Sequence, residues 1–262
     1  MSPLGLPSTI AVGLAIGVLI GAIGVGGVLL APWLVHAGGL PVQQAAAIAM
    51  LAFVGSGVAA LLAARRTRAT RIDRALLAAT VPGAVAGAAA LSVVPEPAAL
   101  AVLAAAVGWA GLRLLADPPA GRPAGEAPES PPSPAGALRP GPDPARLGGA
   151  AVGAFTGFAS ALTATGGPMV LTPLAMLRGM PMPDAVRLGQ LVQLPIAVTA
   201  TAGHLLAGPV DVATGATFGA LLVPGALLGH RIGPVLPRPL LSRLLGAVLL
   251  ASAALFVARA LG

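Results

Sequence analysis

The chain has 262 residues, of which 56% are hydrophobic and only 9% charged, with a mean hydropathy of +0.92. A soluble domain carries about 25% charged residues, so this composition excludes one and places the chain in a bilayer. The absence of Cys excludes disulfides, thiolate metal sites and a Cys nucleophile, and His36, His204 and His230 are too scattered for a metal motif.

The first apolar segment runs over about 8–37 and is interrupted by "GAIGVGGVLLAP" at 21–32. No Asp, Glu, Lys or Arg occurs before Arg65, so no basic region precedes this segment and it is expected to stay in the mature protein rather than act as a cleaved leader. A second apolar run covers 42–64 and leads into the basic stretch "RRTRATRIDR" at 65–74. Two more follow at 72–94 and 97–116, separated by the acidic "PEP" of 95–97. Residues 117–145 are dense in Pro, Gly and charge; they can neither bury a core nor cross a bilayer, and read as an exposed disordered linker. Beyond it lie four further apolar runs at about 148–178, 184–206, 211–231 and 239–260.

The two halves match. Gly26-Gly27 align with Gly166-Gly167 and "GLPVQQA" (39–45) with "GMPMPDA" (179–185), both at an offset of 140. "VPGAVAG" (81–87) aligns with "VPGALLG" (223–229), and "VPEP" (94–97) with "LPRP" (236–239), both at 142. The domain organisation is therefore a first transmembrane repeat over 1–116, the linker over 117–145 and a second transmembrane repeat over 146–262.

Loop charge assigns orientation. The net charge of +7 comes wholly from Arg among the basic residues, five of them within 65–74 and most others flanking apolar runs. With two Trp, five Phe and no Tyr there is little to stack on bases, so the positive-inside rule accounts for the charge and nucleic acid is excluded as a partner. In the second half the signs exchange: "HLLAGPVD" (204–211) has no Arg, whereas Arg178, Arg187, Arg231 and Arg238 lie where the first half is acidic or neutral. The expected fold is an all-α polytopic membrane protein of two inverted repeats, each a re-entrant helical hairpin plus three transmembrane helices, about eight apolar segments in all. Both termini are expected outside and the linker inside, with Arg259 as the exception. A single crossing by the first segment of each half, giving eight spans and parallel repeats, is the alternative.

The glycine clusters lack G-x-x-x-x-G-K-[ST], Lys and any strand, which excludes a nucleotide loop. Gly13, Gly17, Gly21 and Gly24 recur at helix-packing spacing. Gly26, Gly27, Gly166 and Gly167 are instead expected to form sharp turns whose unpaired amides face a cavity and bind an anion without a charged side chain. Thr163 and Thr165 flank the second turn, and Gln190 and Gln193 share one helical face; these four are expected to add directional hydrogen bonds to the substrate. Ser56, Thr199 and Thr201 are expected to bond helical carbonyls. No Asp or Glu falls inside a predicted span, which argues against a carboxylate proton relay.

"GxxxGxxGxGG" at 17–27 followed by Pro32 and the Gly38-Gly39 pair, its weaker repeat "TATGGPMVLTP" at 163–173, and a "PGAxxG" element in each half make the chain resemble the TauE/SafE family, sulfite exporters grouped with toluenesulfonate uptake permeases. The sequence departs from the family pattern at "TATGG" and the Gln190/Gln193 span. The resemblance implies secondary transport of small anions, such as sulfite or sulfonates, across the cytoplasmic membrane of a prokaryote. It implies no cofactor, and partners limited to the lipid bilayer and a small anionic substrate. The rival readings are a non-transporting membrane partner protein and an intramembrane enzyme, the latter needing Ser56 and His204 to meet.

Overall fold

The structure is a computed structural model that describes residues 5–24, 26–64, 74–116, 149–178, 180, 182–233, 235 and 238–261. The linker 117–145 and nearly all of the basic stretch 65–74 lie outside the described residues. The described residues are helical apart from short turns: α1 (Leu6–Ile23), a 3-10 turn (Gly26–Leu29) leading into α2 (Leu30–His36), α3 (Val42–Ala64), α4 (Arg74–Val93), α5 (Glu96–Ala116), α6 (Gly149–Thr163), α7 (Gly167–Leu177), α8 (Met182–Ala207), α9 (Val212–Ile232) and α10 (Arg238–Leu261). Six of these are long and apolar enough to cross a bilayer, three on each side of the linker: α3, α4 and α5, then α8, α9 and α10. The shorter apolar helices α1, α2, α6 and α7 are the broken first segments of the two halves.

Glycine sets the packing. Along α1, Gly13 lies against Leu221, Gly17 against Gly225 and Gly21 against Ala226 and His230 of α9. Each Gly costs about 1 kcal/mol of helix propensity relative to Ala in water; here the missing side chain lets two backbones touch, the means by which helices associate where lipid removes the hydrophobic drive. The same device joins Gly153 and Gly157 of α6 to Leu76 and Thr80 of α4. Helices α4, α8 and α9 carry interior prolines at Pro82, Pro195 and Pro224. Each lacks the N–H that would bond the carbonyl four residues earlier, and one turn beyond Pro195 the Thr199 hydroxyl bonds back into its own helix, Oγ1 donating to Pro195 O at 2.7 Å.

The contacts repeat when the halves are exchanged. Helix α1 packs on α9 as α6 packs on α4, α3 on α9 as α8 on α4, and α2 on α3 as α7 on α8. The order of the contacts gives direction. Residues 13, 17 and 21 meet 221, 225 and 230, so α1 runs parallel to α9; Leu51 and Gly55 meet Gly215 and Gly219, so α3 does too. The corresponding helices α5 and α10 run antiparallel, with Gly108 against Ala253 and Gly111 against Gly246. Since α1 and α3 point the same way, the chain between them has to return, and α2 lies on that return path.

These directions put Arg74, Arg113, Arg178, Arg187, Arg231 and Arg243 at one end of the bundle. Glu96, Asp211 and Arg259 lie at the other. Arg259 has a local reason to be there: its Nη1 donates to Val35 O at 3.2 Å, one of the carbonyls left open at the end of α2, beside the stacked His36 and Phe256 rings 4.4 Å apart.

Candidate functional site

Both helix breaks reach one cavity. It is lined by Ile20 and Gly24 of the first break, Gly27 beyond it, Thr165, Pro168 and Met169 of the second, Phe53 and Ser56 of α3, Gln190 and Gln193 of α8, and His230 of α9. Its free volume is about 20 Å³, room for one water-sized group or slightly more.

The breaks form by left-handed residues at matched positions. Gly24 (φ 81°) ends α1, its N–H donating to Ile20 O at 2.9 Å. Ala164 (φ 50°), 140 residues later, does the same after α6, and Gly166 (φ 82°) then starts α7. The turning point of the first break is thus Gly24, and not the Gly26-Gly27 pair, which already belongs to the 3-10 turn. The reason is geometric: one left-handed residue suffices to end a helix, and the residues after it can begin the next.

Gln193 holds the second break closed. Its Oε1 accepts from Gly167 N–H at 2.7 Å, at the first residue of α7, in a fully buried bond. An added Cβ on Gly166 would sit 2.6 Å from that Oε1. Since Oε1 faces a donor, the Nε2 hydrogens of Gln193 are left for the cavity. Gln190 is oriented the opposite way: Nε2 donates to Ile20 O at 3.1 Å, tying α8 to the end of α1 and leaving Oε1 uncommitted.

The hydroxyls at the cavity are spent. Thr163 Oγ1 donates to Ala159 O at 2.6 Å and lies 2.7 Å from Thr165 Oγ1, so Thr165 is the donor of that pair. Ser56 Oγ donates to Phe53 O at 3.0 Å, as expected of it. Thr199 likewise bonds carbonyls of its own helix, whereas buried Thr201 Oγ1 has no partner among the described residues. His204 Nε2 is buried and also unpartnered, so Ser56 and His204 form no nucleophile–base pair.

The halves differ at one telling position. Phe53 follows Gly27 by the 26 residues that separate Gln193 from Gly167. Its ring stands where the acceptor stands in the other half, 3.0 Å from an added Cβ on Gly27. In the second half the Gly167 amide is engaged, Pro168 has no N–H, and Met169 is the next residue whose N–H has no acceptor within its helix. In the first half no side-chain acceptor caps the 3-10 turn among the described residues.

Of the eight residues expected at the site, Gly27, Thr165, Gln190 and Gln193 line the cavity; Gly166 and Gly167 pack under Gln193, Thr163 supports Thr165, and Gly26 starts the 3-10 turn. Gly24, Phe53, Met169 and His230 were not expected there. The offset of 140 that pairs Phe53 with Gln193 could have exposed the first two; nothing local marks His230. Among the described residues no group of three or more His, Asp or Glu could hold a metal.

A family model described as "Sulfite exporter TauE/SafE" matches residues 9–256. Searches among curated proteins and among solved structures gave no match.

Proposed function

Because this chain belongs to the sulfite exporter TauE/SafE family, a family of membrane transporters, we propose that it is a secondary transporter of small anions, sulfite or sulfonates among them. The anion binds in the cavity between the two breaks, which widens beyond its water-sized volume to admit it, on backbone N–H groups at Gly27 and Met169 and on the Nε2 hydrogens of Gln193. The observation that carries this reading is the convergence of two broken helices on a cavity with uncommitted N–H donors and, among the described residues, no carboxylate in its lining. Non-helical backbone is tolerated at membrane depth where it faces a cavity, and helix-start amides favour an anion there.

The repeats are inverted in this reading, with the arginine-rich end in the cytoplasm. The antiparallel pairing of α5 with α10, and the segregation of all described Arg except Arg259 to one end, support it. Gradients or downhill flow supply the energy, across the cytoplasmic membrane of a prokaryote.

The test is flux of sulfite and of a sulfonate into proteoliposomes. Gly27→Leu and Gly167→Leu place atoms on Phe53 and on Val192 and Gly189, within 3.0–3.2 Å already at Cβ. Both are expected to abolish flux while the protein still reaches the membrane. Wild-type rates in both variants would defeat the assignment of the cavity.

A further inference from the structure

Among the described residues five polar side chains line the cavity, and four are partly or wholly committed. Ser56 and Thr165 have spent their hydrogens, Gln190 its Nε2 and Gln193 its Oε1. The fifth, His230, makes no hydrogen bond or ion pair with any described residue, and among the described residues it is the sole ionisable side chain in the lining. Its position is fixed by backbone: α9 is pressed against α1 at Gly21, where an added Cβ would come within 2.8 Å of His230 N, and at Gly229 and Gly233 against Val18 and Ala22. The α9 backbone that carries the imidazole is thereby held at the cavity wall.

We propose that His230 is the proton-binding group of this cavity: an anion entering between the breaks draws a proton onto the imidazole, and anion and proton are carried together. The inference rests on the anion-site reading above. The proton is taken from water on the side where the anion enters and returned to water on the side where it leaves, so no charge stays in the protein after a cycle.

The surroundings make this coupling strong. Helices α1 and α3, which pack against α9, carry no ionisable side chain over their described lengths, and α9 itself adds only the neighbouring, exposed Arg231. Asp184 and Arg187 stand on α8 at the same end of the bundle, before Gln190. An unperturbed imidazole titrates near neutral pH, and a negative charge in contact favours its charged form. By linkage, what the anion does for the proton, the proton does for the anion.

The experiment uses the purified full chain and methanesulfonate, which stays ionised throughout, titrated calorimetrically from about pH 5 to about pH 8. Wild-type affinity is expected to fall with rising pH, approaching about tenfold per unit on the alkaline side, with close to one proton taken up per anion as read by an indicator dye. His230→Gln is expected to bind with a weak affinity that no longer varies with pH. Wild-type binding that is independent of pH and takes up no proton overturns this inference and leaves the anion site standing. A pH dependence retained in His230→Gln overturns it as well. No binding by the wild type at any pH overturns both readings. The dye measurement needs no variant, so a misfolded His230→Gln does not decide the outcome.

Discussion

Gly166→Ala probes the second break at its tightest point. The residue has φ 82° and ψ 164°, a region open to little but glycine, which costs a side chain about 1–3 kcal/mol. The new Cβ would also lie 2.6–2.7 Å from the Gln193 amide, forcing Gln193 off Gly167 and leaving a buried N–H without an acceptor, a further ~1–3 kcal/mol. The single substitution is therefore expected to cost about 2–6 kcal/mol. Gln193→Ala alone loses that hydrogen bond, about 1–3 kcal/mol, and with it the packing of a buried side chain, a loss common to the single and double variants. In the double variant the bond is lost once and the clash is relieved, so the sum of the singles overcounts by about 1–3 kcal/mol. Thermal unfolding of the four proteins in one detergent reads this coupling. Strict additivity would refute the claim that Gly166 acts through Gln193.

Other substitutions test other parts of the chain. Gly55→Val drives a side chain into the carbonyl of Gly219 at the α3–α9 contact, and is expected to lower stability by about 1–3 kcal/mol or more in the same unfolding assay. Asp211 caps α9, accepting from Thr214 N–H at 3.0 Å and from Thr214 Oγ1 at 2.7 Å, and these bonds hold its carboxyl below the usual carboxylate range. Because the folded value is the depressed one, the stabilisation is fully present above the unfolded carboxyl value and fades as pH falls through the folded one; Asp211→Ala should cost about 1 kcal/mol at neutral pH and less in strong acid. His204→Leu removes a buried nitrogen with no partner and is expected to leave thermal stability unchanged or raised. Single cysteines at exposed Gly208 and Val235 sit at opposite ends of the bundle and should label from opposite faces of the membrane; labelling from one face would contradict the helix directions.

Much of this was legible in the sequence because hydropathy and glycine spacing are local. The apolar run at 42–64 is α3 residue for residue, and the 140-residue offset pairs Gly24 with Ala164, the two residues that end α1 and α6. What could not be read depends on contacts between distant segments. An alanine gives no hint that it will take φ 50°, since its left-handed turn is imposed by the helices on either side. The orientation of Gln193 follows from a donor 26 residues earlier, and that of Gln190 from a carbonyl 170 residues earlier. His230 resembles any histidine near a helix end until α9 is docked on α1.

That α1 rests on α9, and α6 on α4, has a consequence for how the molecule is made. Roughly 190 residues separate the end of α1 from the start of α9, so at ordinary synthesis rates the first helix waits about 10–40 s for its partner. During that time its glycine stripe faces lipid or an insertion chaperone. Each half clasps the other, so the halves are also expected to stay together when the chain between them is cut. Co-expressed fragments split inside 117–145 should copurify, and either fragment alone should be degraded.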